Sequence, residues 1–114
     1  MMNINELLER ARNWDKLAIA KLITMAEEGV ELPIQVVRRS HVIGITGPPG
    51  SGKSTLIYTM ARKISQDRKV AILTIDPSSP FTGGSFMGNR IRMQELTSRS
   101  NIYIRSMATR GISG

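Results

Sequence analysis

The sequence predicts an α/β fold: a partial parallel sheet with flanking helices, preceded by an N-terminal helical arm. Three observations predict it. Short apolar runs at His41–Thr46 and Lys69–Asp76 have the β-branched, nearly continuous pattern of strands buried in a parallel sheet. Between them, Lys53 to about Gln66 has a helical pattern, so strand, helix and strand follow in the order of a right-handed crossover. Before residue 41 the apolar residues recur every three or four positions, which is helical spacing.

Taken in order, residues 1–40 make up the arm and a linker. From Asn3 to Glu28, Leu7, Leu8, Ala11, Leu17, Leu22, Met25 and Ala26 form the apolar stripe, and Gly29 is a natural stop. Asn13 or Asp15 can cap a second helix, so "NELLERAR" and "DKLAIAKLITMAEE" form either a hairpin or one long rod. The arm serves as a packed appendage or as a partner-binding element. "VELPIQVVRRS", with Pro33, is a linker or edge segment.

Residues 41–114 form the second region. After the strand–helix–strand unit comes "DPSSPFTGGSFMG", residues 76–88, with two prolines and three glycines. Irregular segments of this length usually carry function or lack order. A short helix from Asn89 to about Ser98 and a strand from Asn101 to Ser106 complete the pattern. Three strands with so few helices are expected to leave apolar sheet surface exposed.

Composition narrows the classes. The chain has 114 residues, 40% hydrophobic and 22% charged, which suits one small domain. No apolar run approaches the ~20 residues of a membrane span, and "MMNINELLER" has acids where a signal peptide is basic and apolar. A cytoplasmic location is expected. With no cysteine, disulfides and thiolate metal sites are excluded. The formal charge is +7, but Arg90, Arg92, Arg99, Arg105 and Arg110 are interleaved with other residues, so a solvated basic face is expected rather than a nucleic-acid partner.

The chemistry concentrates at Gly47–Ser54, G-P-P-G-S-G-K-S, which satisfies GxxxxGK[ST]. A polyphosphate is held best by many backbone N–H groups aimed at one point, and only a chain with little side-chain bulk wraps that closely. The following helix offers its N-terminal amides and dipole to the same anion. The candidate nucleotide-binding residues are Gly47, Gly50, Ser51, Gly52, Lys53, Ser54 and Thr55. Lys53 is the candidate catalytic residue, reaching the terminal phosphates. Pro48 and Pro49 lack N–H groups, so Gly50 to Thr55 supply the donors. Ser54 and Asp76, the latter at a strand end, are candidate magnesium ligands; the alternative for Asp76 is a plain Asp-Pro-Ser-Ser turn. His41, the single histidine, is expected to be solvated or packed. Trp14 and the seven methionines are expected to pack.

The segments "GITGPPGSGKST", "VAILTIDPSSPFTGGSFMGNRIRM" and "IYIRSMATRGISG" together resemble the MeaB/ArgK family of P-loop GTPases, some members of which carry an older label as a transport-system kinase. The likeness runs from about His41 to Gly114, and more weakly through "ARNWDKLAIAKLITMAEEG". It implies a P-loop NTPase fold, GTP and GDP as ligands with Mg2+, and a chaperone that gates adenosylcobalamin loading of methylmalonyl-CoA mutase. It also implies a homodimer for the full-length family and places Asp76 in the first switch region. Thirteen residues on, where the family usually has an acid, stands Asn89, a weaker magnesium ligand.

Family members are about three times as long. The resemblance therefore implies a truncated GTPase, with the guanine-reading signal, the second switch and the dimerisation arm expected beyond Gly114, together with acids to offset the charge. Two alternatives remain: an ATP-dependent P-loop kinase, or a non-catalytic nucleotide-binding fragment.

Overall fold

The computed structural model describes residues 3–35, 40–48, 50–75 and 87–107, without the side chains of 87–90. The chain divides into two units, 1–44 and 45–114. Each is described by itself.

The first unit is a helical hairpin, which decides between the two forms the sequence allowed. Helix α1 spans Ile4–Arg12 and α2 spans Lys16–Glu27. Asn3 caps α1, its side-chain oxygen accepting from the Glu6 N–H at 2.8 Å. Asp15 caps α2 by accepting from the N–H groups of Leu17 (3.0 Å) and Ala18 (3.3 Å). Between the helices the chain reverses at Trp14, whose φ is 63°. The Trp14 N–H reaches the Ala11 carbonyl at 2.9 Å and the Asp15 N–H reaches that of Arg10 at 2.9 Å. These are the paired bonds of a Schellman stop, here with tryptophan where glycine is usual. Helix α2 ends the same way on Gly29, at φ 90°, with Gly29 bonded to Ala26 (3.1 Å) and Val30 to Met25 (3.0 Å). Leu7 and Leu8 of α1 pack on Ala18 and Leu22 of α2, with Ile4, Ala11, Met25 and Leu32 around them.

The second unit holds α3 (Lys53–Ile64), β1 (Val70–Thr74), α4 (Met87–Thr97) and β2 (Ile102–Ser106). The strands pair in parallel, from Val70 opposite Ile102 to Thr74 opposite Ser106. This is the α/β class with parallel pairing that the sequence predicts, reduced to two strands among the described residues. Leu96 and Ile102, both 0% exposed, form the core with Ala61; Ile57, Tyr58, Val70, Ile72, Met93 and Ile104 pack around them. The side chains of β1 alternate: Val70, Ile72 and Thr74 turn inward, whereas Leu73 is 56% exposed and Ile75 is 66% exposed. β1 is thus covered on one face only, whereas on β2 the successive residues Ile102 and Tyr103, which point to opposite faces, are both buried. The continuous apolar run had suggested cover on both faces, with the shortage of helices pointing the other way.

Residues 41–46, expected as a strand, form none. Val42 is 86% exposed and Ile43 is 51% exposed. A strand exists only through its ladder partner, and among the described residues nothing pairs with this segment. The crossover expected across α3 is therefore not seen among the described residues; the parallel pair that is observed, β1 with β2, has α4 between its strands in the chain. Among the described residues no helix is long and apolar enough to cross a membrane.

Candidate functional site

The candidate site is the turn that leads into α3. Two of its glycines have left-handed backbone, Gly50 at φ 80° and Gly52 at φ 91°, a conformation a side chain makes costly. Gly52 is the residue before the helix, and no side chain caps α3. The first helical bond runs from the Leu56 N–H to the Gly52 carbonyl at 3.0 Å. Lys53, Ser54 and Thr55 thus occupy the first turn, where amide N–H groups have no partner within their own helix. A helix of 12 residues directs the positive end of its dipole to the same place.

The turn closes on itself. The Ser51 N–H donates to the Pro48 carbonyl at 3.3 Å. A Cβ placed on Gly47 would lie 3.0 Å from Ser51 Oγ and 3.6 Å from both Cγ and Cδ of Lys53. The lysine stem therefore lies alongside Gly47, and alanine there would press on the Ser51 hydroxyl. Lys53 and Ser54 are half-buried, while Gly50, Ser51, Gly52 and Thr55 are exposed. The structure brings Gly47 and Gly50 to Thr55 into this single turn. Such an arrangement can offer backbone donors and one ammonium group to a polyanion.

Of the proposed magnesium ligands, Ser54 lies in the first turn of α3 and Asp76 falls outside the described residues. Asn89 lies in the first turn of α4, its side chain likewise outside them. Among the described residues no three of His, Asp and Glu cluster to hold a metal. His41 is exposed.

The structure adds neighbours that no motif announced. Arg92 of α4 donates from Nη1 to Thr55 Oγ1 at 3.4 Å, and its guanidinium lies 5.5 Å from the centre of the Tyr58 ring. Tyr58 donates its hydroxyl to Glu95, which also pairs with Arg62 at 3.3 Å and Arg99 at 3.9 Å. The hydrogen bond to Glu95, then partial burial, raises the Tyr58 phenol above its ordinary value of 10.0, against the opposing pull of the Arg62 cation. The available sequence signal was spacing alone: 55, 58 and 62 share one helical face, as do 92, 95 and 99.

Comparison with known proteins gives a consistent family. A model described as methylmalonyl Co-A mutase-associated GTPase MeaB matches residues 19–114. A protein of Pyrococcus horikoshii named as a GTPase is 42% identical over 122 residues, covering 100% of this chain and 38% of that protein. The fused isobutyryl-CoA mutase of Geobacillus kaustophilus is 38% identical over 125 residues, covering 94% of this chain and 11% of the relative. A mitochondrial methylmalonic aciduria type A homolog of Caenorhabditis elegans is 47% identical over 74 residues, 63% of this chain and 18% of the relative. The chain thus spans 38% of the length of the Pyrococcus relative it matches.

Proposed function

This chain belongs to the MeaB family of methylmalonyl Co-A mutase-associated GTPases, and on that premise we propose that it carries the phosphate-binding part of a GTP-binding protein that serves an acyl-CoA mutase. The observation that carries this reading is the closed turn at 47–52, with left-handed Gly50 and Gly52 feeding a helix that no side chain caps. In this role the amides of Gly50 to Thr55 and the glycine at 47 cradle the β- and γ-phosphates, and the Lys53 ammonium neutralises their charge. The Ser54 hydroxyl and the Asp76 carboxylate would hold Mg2+, which would supply positive charge to offset that of the phosphates. The choice of GTP over ATP rests on family membership, since nothing in the turn reads a base. Likewise the partner, methylmalonyl-CoA mutase, is supported by the family's description and by a relative named as a fused isobutyryl-CoA mutase.

Phosphoryl transfer depends on positioned charge and a positioned water. The described residues supply the first at Lys53; in this reading the 114 residues alone bind nucleotide and hydrolyse it slowly. Titration calorimetry of the chain with GDP, GTP and ATP, with and without Mg2+, tests the reading. Magnesium-dependent binding of guanine nucleotides, abolished by Lys53→Ala, is expected. Absence of binding by folded wild-type chain would overturn the nucleotide role, and a preference for ATP would favour a P-loop kinase.

A further inference from the structure

Helices α3 and α4 face each other through a polar row. In its lower part the cations share a carboxylate: Glu95 accepts from the Tyr58 hydroxyl and pairs with Arg62 and Arg99, and Arg99 Nη1 also donates to Ser65 Oγ at 2.9 Å. The upper part differs. There Arg92, exposed, donates to the neutral Thr55 hydroxyl at 3.4 Å and lies over the Tyr58 ring. Among the described residues Arg92 is in no ion pair.

Thr55 is the third residue of α3, so Arg92 holds its charge at the positive end of the helix dipole, where Lys53 already stands. Cations belong at the other end of a helix, because the first-turn N–H groups are themselves electropositive. Two cations gathered there repel the dipole unless an anion joins them. The hydrogen bond to Thr55 and the ring contact to Tyr58 hold Arg92 where that anion would sit.

Resting on the nucleotide reading above, we propose that Arg92 is a nucleotide-positioning residue: it steadies Thr55 in the first turn of α3 and adds a second cation, after Lys53, for a bound polyphosphate to neutralise. The row below it, centred on Glu95, serves stability instead. Arg92 thereby ties α4 to the first turn of α3.

The test measures GDP affinity across a range of salt concentrations for the 114-residue chain and for Arg92→Gln, Arg92→Lys and Glu95→Gln, each with its melting curve without nucleotide. Arg92→Gln is expected to weaken GDP about tenfold, the scale of one hydrogen bond to a charged group, and to flatten the salt dependence. Its melting temperature stays level or rises, since a repelled charge is removed. Arg92→Lys recovers the salt dependence and part of the affinity. Glu95→Gln lowers the melting temperature and leaves GDP affinity in place. Wild-type affinity and salt dependence in Arg92→Gln would overturn the proposal, as would affinity losses that merely follow losses in melting temperature across the variants. A wild-type chain that binds no GDP would overturn the parent reading and this one with it, an outcome distinct from the other two.

Discussion

The Asn101 side-chain amide donates to the Ser65 carbonyl at 2.5 Å and to the Arg68 carbonyl at 2.9 Å. One nitrogen thereby satisfies acceptors left over at the C-terminal end of α3 and in the turn that follows it. The same residue offers its own carbonyl to the Val70 N–H at 2.9 Å, so it joins the end of α3 to the first bond of the sheet. Replacing Asn101 with aspartate keeps the shape but exchanges two donors for a carboxylate facing carbonyl oxygens. Asn101→Asp should cost about 2 to 3 kcal/mol, read as a lower urea midpoint at unchanged slope. An unchanged midpoint would show that the two bonds contribute nothing net.

Gly29 isolates a backbone effect. Its φ of 90° is left-handed, yet a Cβ there would meet nothing within 4 Å. Gly29→Ala therefore tests conformation without collision and should destabilise the helical arm by about 1 kcal/mol. The helical signal in circular dichroism during thermal unfolding is the readout. A gain in stability would mean that this stop to α2 tolerates another geometry.

Tyr58 should give a pH signature. Its phenol is raised above 10.0, chiefly by the hydrogen bond it gives to Glu95. A raised value means that the folded state favours the neutral phenol. The associated stability is fully present below pH ~10 and is lost as pH climbs through the folded-state value. Wild-type chain should thus lose stability on the alkaline side more steeply than Tyr58→Phe, and Glu95→Gln should bring the phenol's absorbance titration back toward 10.0. Parallel alkaline profiles for wild type and Tyr58→Phe would remove Tyr58 from the account.

Where contacts are local, the residues could be read directly. Asp15 caps α2, one of two candidates the spacing offered, and Gly29 ends it at the expected place. The Asn101–Ser106 strand appears as Ile102–Ser106 and the Asn89–Ser98 helix as Met87–Thr97. In the candidate site the glycines at 50 and 52 are left-handed as a tight turn demands. The packing role expected of Trp14 carries no sign of its positive φ, because the hairpin imposes it. Arg92 and Glu95 were also silent, since a charged residue on a helix face reads as solvated until its neighbour helix is known.

By itself, then, the order of residues determined the helices, their caps, the turn at 47–52 and the family, because caps, helical bonds and motif spacing act within a few positions of the chain. Tertiary structure decided which strands exist. His41–Thr46 has a strand's composition and no ladder, whereas β1 and β2 lie some thirty residues apart and pair across five positions. It also decided which side chains of the strands are covered and which cation meets the first turn of α3. These depend on partners distant in the chain, and a ladder, a covered face or an ion pair exists only when the partner arrives.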